Sequence, residues 1–206
     1  MHAPHYKNQK TRSQPAMHPT TTLFGTTRNI ALRLALACCV PLIFLATACT
    51  PALNWRDVTL DRLKVQLPCK PDRAQRPVEL QGVSLPLSMA GCQASDALFA
   101  VSHASIPQGV TAQDVLGAWQ KATLQNMQVK NPAETLAAYN SEQKTPATAI
   151  AQVVPMRVTG VNPEGLAIQA QLVWFVAGQD IYHMAVYAPA IKPEMTDSMF
   201  TQAQLQ

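Results

Sequence analysis

Apolar residues recur along the chain with two periods, and the switch between them separates strands from helices. Leu63, Val65 and Leu67 alternate with Lys64 and Gln66, the spacing of a strand with one buried face, which predicts a strand over 63–68. Residues 54–61 read as a short tether into that strand. Residues 70–77, with two prolines among charged residues, read as a turn-rich connection. Alternation returns at Val83, Leu85, Leu87 and Met89 and again over 98–106, with Ala94-Ser95-Asp96 between the two runs.

The period then becomes helical. Ala112, Val115, Leu116, Trp119, Thr123 and Met127 share one face at 3.6 residues per turn. Thr111 stands at the N-cap position, and Asp114 three residues on makes an acidic variant of the capping box. Trp119 in that stripe reads as a core anchor. Residues 129–148 stay ambiguous: Asn131-Pro132-Ala133-Glu134 opens like a short helix, whereas Pro146 and its polar neighbours read as loop. Strands return over 150–161, over Leu166, Ile168, Ala170, Leu172, Trp174 and Val176, and over 181–188. Asn162-Pro163-Glu164-Gly165 has the composition of a type I turn, and Gly178-Gln179-Asp180 reverses the chain again. Residues 193–203 close as a helix with Met195, Met199 and Phe200 inward. The predicted order is β-β-β-α-β-β-β-α. Short turns between strands imply an antiparallel sheet covered by two amphipathic helices, an α+β fold.

Charge changes the picture at the front of the chain. The formal charge of +4 and a pI near 8.9 invite a nucleic-acid reading. Residues 1–33, however, hold five of the sixteen basic groups and no acid, since the first carboxylate is Asp57. The remainder is nearly neutral, so the clustered positive charge that nucleic acid requires is missing from the folded part. After Arg33 no charge appears until Arg56, and residues 34–48 are mostly Ala, Leu, Ile, Phe, Val and Cys. A basic n-region (1–33), an apolar h-region (34–48) and small residues at the break are the parts of a signal peptide. Met17 is an alternative start that keeps Arg28 and Arg33.

Ala46-Thr47-Ala48-Cys49 resembles the lipobox of bacterial lipoproteins, with Leu45 one place ahead of the usual Leu. The resemblance implies cleavage between Ala48 and Cys49, acylation of Cys49, and anchoring to membrane lipid through that residue. An uncleaved signal anchor and ordinary cleaved secretion stay open. The anchor would make a single-pass inner-membrane protein, although fifteen helical residues reach only about 22 Å of a roughly 30 Å hydrocarbon core. Cys38 or Cys39 as the processing site would leave too short an h-region. In each case the fold lies outside the cytoplasm, facing the periplasm. Thr50, where the resemblance would place an inner-membrane retention Asp, favours the outer membrane. The organisation is then a signal peptide (1–48), a lipidated Cys with its tether (49–56) and one periplasmic domain (57–206).

With Cys38 and Cys39 in the leader and Cys49 acylated, Cys69 and Cys92 remain. Two thiols in an oxidising compartment point to one disulfide. It closes a loop of about 23 residues and contributes roughly 3 kcal/mol by chain entropy. Two free buried thiols are an alternative, as is a metal site with His103 and His183, though none of the four has zinc-ligand spacing. The strand–helix order, with Leu67-Pro68 closing the first strand and Phe200 in a terminal helix, resembles the PsbP-like α/β/α sandwich. The leader, with Leu67-Pro68-Cys69-Lys70-Pro71-Asp72-Arg73 and Met89-Ala90-Gly91-Cys92, is similar to uncharacterised lipoproteins or transmembrane proteins of beta-proteobacteria. That family brings no activity with it.

Chemistry is sparse. His103 and His183 each stand alone in a strand-like run, without an i+4 partner or an HExxH pattern. Gly82-Val83-Ser84-Leu85-Pro86 begins like a nucleophile elbow and ends in Pro. Gly160 and Gly165 lack the Lys-Ser/Thr of a phosphate loop. No catalytic residue, metal site or cofactor follows from these patterns. Lys70, Arg73 and Arg76 form the local basic cluster, either a solvated loop or a contact for anionic headgroups. The expectation is a non-catalytic envelope lipoprotein that binds a protein or small-molecule partner. The competing expectation is an enzyme, which requires His103 or His183 in a pocket beside a carboxylate or Ser.

Overall fold

Leu63, Val65 and Leu67 are fully buried in the computed structural model of the chain, which describes residues 53–143, 150 and 153–206. The leader, Ala48, Cys49 and the start of the tether lie outside the described residues. Strand β2 (Leu63–Leu67) pairs antiparallel with β1 (Arg56–Leu60), Val58 opposite Val65 and Leu60 opposite Leu63. The tether reading of 54–61 is therefore corrected. Val58 and Leu60 are buried between exposed Asp57 and Thr59, but two apolar residues are too few to display a period. At the other edge of β2 the two-residue β9 (Gln204–Leu205) completes a small three-stranded sheet.

The second sheet has six antiparallel strands. They are β3 (Asp72–Leu80), β4 (Val83–Ala94), β5 (Ala97–Ser105), β6 (Met156–Val161), β7 (Ala167–Ala177) and β8 (Asp180–Ala188), in spatial order β3-β4-β5-β8-β7-β6. Residues 72–80 are thus an edge strand, not a connection. An edge strand tolerates Pro77 and needs no buried alternation, which is why its first six residues are all exposed. Two-residue hairpins at Gln81-Gly82 and Ser95-Asp96 place both residues at positive φ, the geometry that matches strand twist. The Asn162–Gly165 turn forms as expected: Gly165 N–H donates to Asn162 O, and Asn162 Oδ1 accepts from Leu166 N–H. The strand expected over 150–161 starts only at Met156. Ahead of it, the Gln143 amide bonds both the N–H and the carbonyl of Val154, standing in for a neighbouring strand.

Both faces of the six-stranded sheet are covered. On one face Phe99, Val101, Phe175, Tyr182, Met184 and Val186 meet the small sheet and α3 (Pro193–Thr201), which contributes Met195 and Met199. On the other, Leu85, Leu87, Leu172, Trp174 and Ile181 meet α1 (Ala112–Asn126) and α2 (Pro132–Glu142). Burial of each large apolar side chain contributes about 1.5–3 kcal/mol, so the two interfaces hold the layers together. The fold is α+β with antiparallel sheets. The expected single sheet, two helices and β-β-β-α-β-β-β-α order are corrected to nine strands and three helices among the described residues. The additions are elements too short or too polar to show a period; α2 buries Tyr139 alone. Two helix ends also differ. Thr111 is the N-cap of α1, but its carbonyl, not its hydroxyl, accepts from Asp114 and Val115. Helix α3 stops at Thr201 because the chain turns to pair with β2.

Among the described residues no helix is long and apolar enough to cross a membrane.

Candidate functional site

Pairing of β5 with β8 sets His103 opposite Tyr182 and Ser105 opposite Asp180, and the β1–β2 turn brings Asp61 and Arg62 over the same end of the sheet. His103 Nε2 lies 2.9 Å from Asp180 Oδ1 and 3.7 Å from Asp61 Oδ2. Ser105 donates to Asp180 Oδ1 at 2.7 Å, and Arg62 donates to Asp180 Oδ2 at 2.9 Å and to the Ala177 carbonyl at 3.1 Å. Tyr182 donates to Asp61 at 2.5 Å and stacks on His103 with centroids 4.9 Å apart. Burial works to raise the pKa of Asp180, but the hydrogen bonds from His103, Ser105 and Arg62 outweigh it and hold the carboxyl low. Asp61 is held low by the Tyr182 hydroxyl and then by the Arg62 backbone N–H. Burial, then the Asp61 contact, pushes Tyr182 up to about 12.

Sequence distance hid this constellation, because His103 and Asp180 meet only through the register of β5 with β8, and Asp61 joins them from the β1–β2 turn. Their ligand atoms all lie within 4.8 Å of one another, a spacing that three donors to one metal ion would have. The positive charge beside Asp180 is already supplied by Arg62. The His–carboxylate contact meets one condition of an enzyme. Ser105, however, gives its hydroxyl to the carboxylate rather than to the imidazole, so nucleophile and base are not paired.

His183 follows His103 on the adjacent strand but points to the opposite face. It stacks on Trp174 at 4.5 Å and meets the edge of Trp119 at 5.6 Å. Its Nε2 is buried with no hydrogen-bond partner, and desolvation pushes its pKa down to about 3. It is a neutral core ring at any physiological pH. Cys69 and Cys92 are bonded to each other, with Cα atoms 5.9 Å apart, and join the end of β2 to β4. The basic cluster of the sequence is taken apart: Arg73 and Arg76 lie on edge strand β3, paired with Ala90 and Leu87 on opposite faces of the sheet. Arg73 donates to the Thr59 carbonyl.

A different basic site appears where sequence reading found none. Over the outer corner of the sheet, β6 and β7 present Arg157, Thr159, Gln169 and Gln171 on the face that the small sheet covers elsewhere. Between this corner, the α1–α2 connection and the start of α3 lies an open groove of about 970 Å³, with Lys130, Arg157 and Lys192 in its lining and Asp197 as its carboxylate. Among the described residues none of these three cations has a carboxylate within 4.0 Å. Arg157 Nε donates to the Gln171 amide oxygen at 3.2 Å. Gln169 is held by the Ile191 N–H. Gly160 lets the groove wall form: a Cβ there would collide with the Met127 carbonyl oxygen, where the end of α1 meets β6. Lys130, Arg157 and Lys192 are separated by 27 and 35 positions, so no local pattern announces them.

Neither a scan of the chain against protein-family models nor a search of the curated proteins finds a match.

Proposed function

We propose that this is a cell-envelope lipoprotein, anchored to membrane lipid through acylated Cys49 and facing the periplasm, whose folded domain is a non-catalytic binding module. The groove over β6 and β7 is its binding site. The single observation that carries the reading is a contrast between two clusters: among the described residues the groove keeps three cations without carboxylate partners, whereas the His103 cluster is closed by its own hydrogen bonds. A volume of this size suits a small molecule or a peptide segment. The three layers, with α1 and α2 on one face and α3 with the small sheet on the other, support a PsbP-like sandwich as the finer description of the fold. The basic, acid-free front and the 34–48 apolar run support export, and Thr50 favours the outer membrane.

Two measurements test this reading. Labelled palmitate is expected to enter the wild-type chain and not Cys49→Ala, with the wild type in the outer-membrane fraction; equal labelling would end the lipoprotein assignment. A photo-reactive residue at Thr159, in the groove, is expected to capture a partner in cells, with none captured from exposed Glu164 at the hairpin tip. Identical behaviour at the two positions removes the groove as the site.

A further inference from the structure

The groove's chemistry narrows its ligand. Lys130, Arg157 and Lys192 come from the α1–α2 connection, β6 and the β8–α3 connection, three elements distant in sequence. Two helices also begin at the groove. Thr135 in the first turn of α2 and Pro193 and Thr196 in the first turn of α3 belong to its lining. Both helices open with Pro, and neither N-cap residue, Asn131 or Lys192, makes a side-chain capping bond. The start of α3, with Lys192 and Pro193 in the lining, therefore adds its positive dipole end to the three cations.

The opposing charges are few. Asp197 lines the groove; Glu134 and Glu194 flank it in the first helical turns, and Glu134 is engaged by the Asn131 amide. Three full positive charges against one lining carboxylate leave an excess of about two, comparable to the charge of a phosphate monoester, about −1.5 to −2 at neutral pH. A guanidinium and two ammonium groups lining one groove match the oxygens of phosphate. The remaining wall is apolar, with Val129, Val158, Ala170 and Ile191.

We infer that the groove binds a phosphate-bearing ligand, its phosphate held by Lys130, Arg157 and Lys192 at the starts of α2 and α3; this rests on the groove being the binding site. The phosphate can come from a lipid headgroup or from a free phosphate compound. The experiment uses the full-length chain in neutral maltoside micelles, titrated calorimetrically with inorganic phosphate and with dodecyl phosphate. Saturable binding is expected, weakened about tenfold or more in Arg157→Gln/Lys192→Gln, a loss of about 1.4 kcal/mol or more, and weakened by added salt. All three cations are exposed, so the variants keep the fold, which circular dichroism checks; Lys130→Gln gives an independent second variant. Mutual competition between the two probes means that the phosphate group itself is read, and binding of dodecyl phosphate alone assigns a lipid source. Binding that is unchanged in both variants, or absent for both probes, overturns the inference. If Thr159 still captures a partner in that case, the binding module stands and only its ligand class falls; if it captures nothing, both fall.

Discussion

The two halves of one sheet face treat charge in opposite ways. Over β4, β5 and β8 the small sheet lies on an apolar surface, and its β1–β2 hairpin is fixed at both ends. The Asp61–Arg62 turn is tied to His103, Asp180 and Tyr182 at one end, and the Cys69–Cys92 bond ties the other. Asp57 pairs there with Lys64, and Asp61, Arg62, His103 and Asp180 answer one another. Over β6 and β7 the same face is polar, and Arg157 there joins Lys130 and Lys192 in a groove where, among the described residues, none of the three has a carboxylate partner. A charge answered within the fold serves to hold layers together, while a charge left unanswered in a groove is available to a ligand.

The largest expected effect isolates this face from the opposite one. Buried His183 has a folded pKa near 3 against about 6.5 unfolded, so the unfolded chain takes up a proton that the fold refuses. Its contribution is present above pH 6.5 and is lost as pH falls from 6.5 towards 3, about 2 kcal/mol by pH 5 and on the order of 5 kcal/mol over the whole window. Urea midpoints at pH 7 and pH 5 should differ for the wild type and converge in His183→Phe. A persistent difference in that variant would move the acid response elsewhere.

Next comes the disulfide. Cys69→Ala/Cys92→Ala should lose roughly 3 kcal/mol of unfolding free energy at neutral pH, with the groove's ligand binding intact in the folded fraction. Loss of binding without loss of stability would contradict the separation of the two halves.

Asp180→Ala should cost about 2 kcal/mol, since it leaves Arg62, His103 and Ser105 without their shared acceptor in a partly buried site. Asp61 and Asp180 are both depressed in the fold, so their stabilisation is full above the unfolded carboxylate value of about 4 and is lost as pH falls below it. With His183 replaced by Phe, the acid loss that remains should lie below about pH 4 and shrink in Asp180→Asn. The smallest change is expected in the open half. Lys130→Gln, Arg157→Gln and Lys192→Gln should each move stability by less than about 0.5 kcal/mol, as exposed residues do. A large loss in any of them would make the groove another structural cluster.

Strands with a full alternating run were legible: Leu63–Leu67, the Val83 and Leu98 runs, and the long run through Trp174 all formed where the period placed them. Edge strand Asp72–Leu80 was not, because a strand exposed along most of its length carries no burial period. Strand β4 shows a second limit. Leu85 and Leu87 are buried on the helical side, whereas Ala90 and Cys92 are buried on the other, so the inward face changes partway along one straight strand. No single period describes a strand whose two halves are covered by different layers.

What the sequence determined by itself was local: where period-two and helical runs lie, and which Pro and Gly residues interrupt them. These follow from interactions among residues a few positions apart. What tertiary structure decided was non-local. It set His103 between Asp61 and Asp180, turned His183 into a tryptophan stack, divided Arg73 from Arg76 and gathered Lys130, Arg157 and Lys192 around one groove. Strand register and layer packing fix those meetings, and both depend on contacts between residues tens of positions apart.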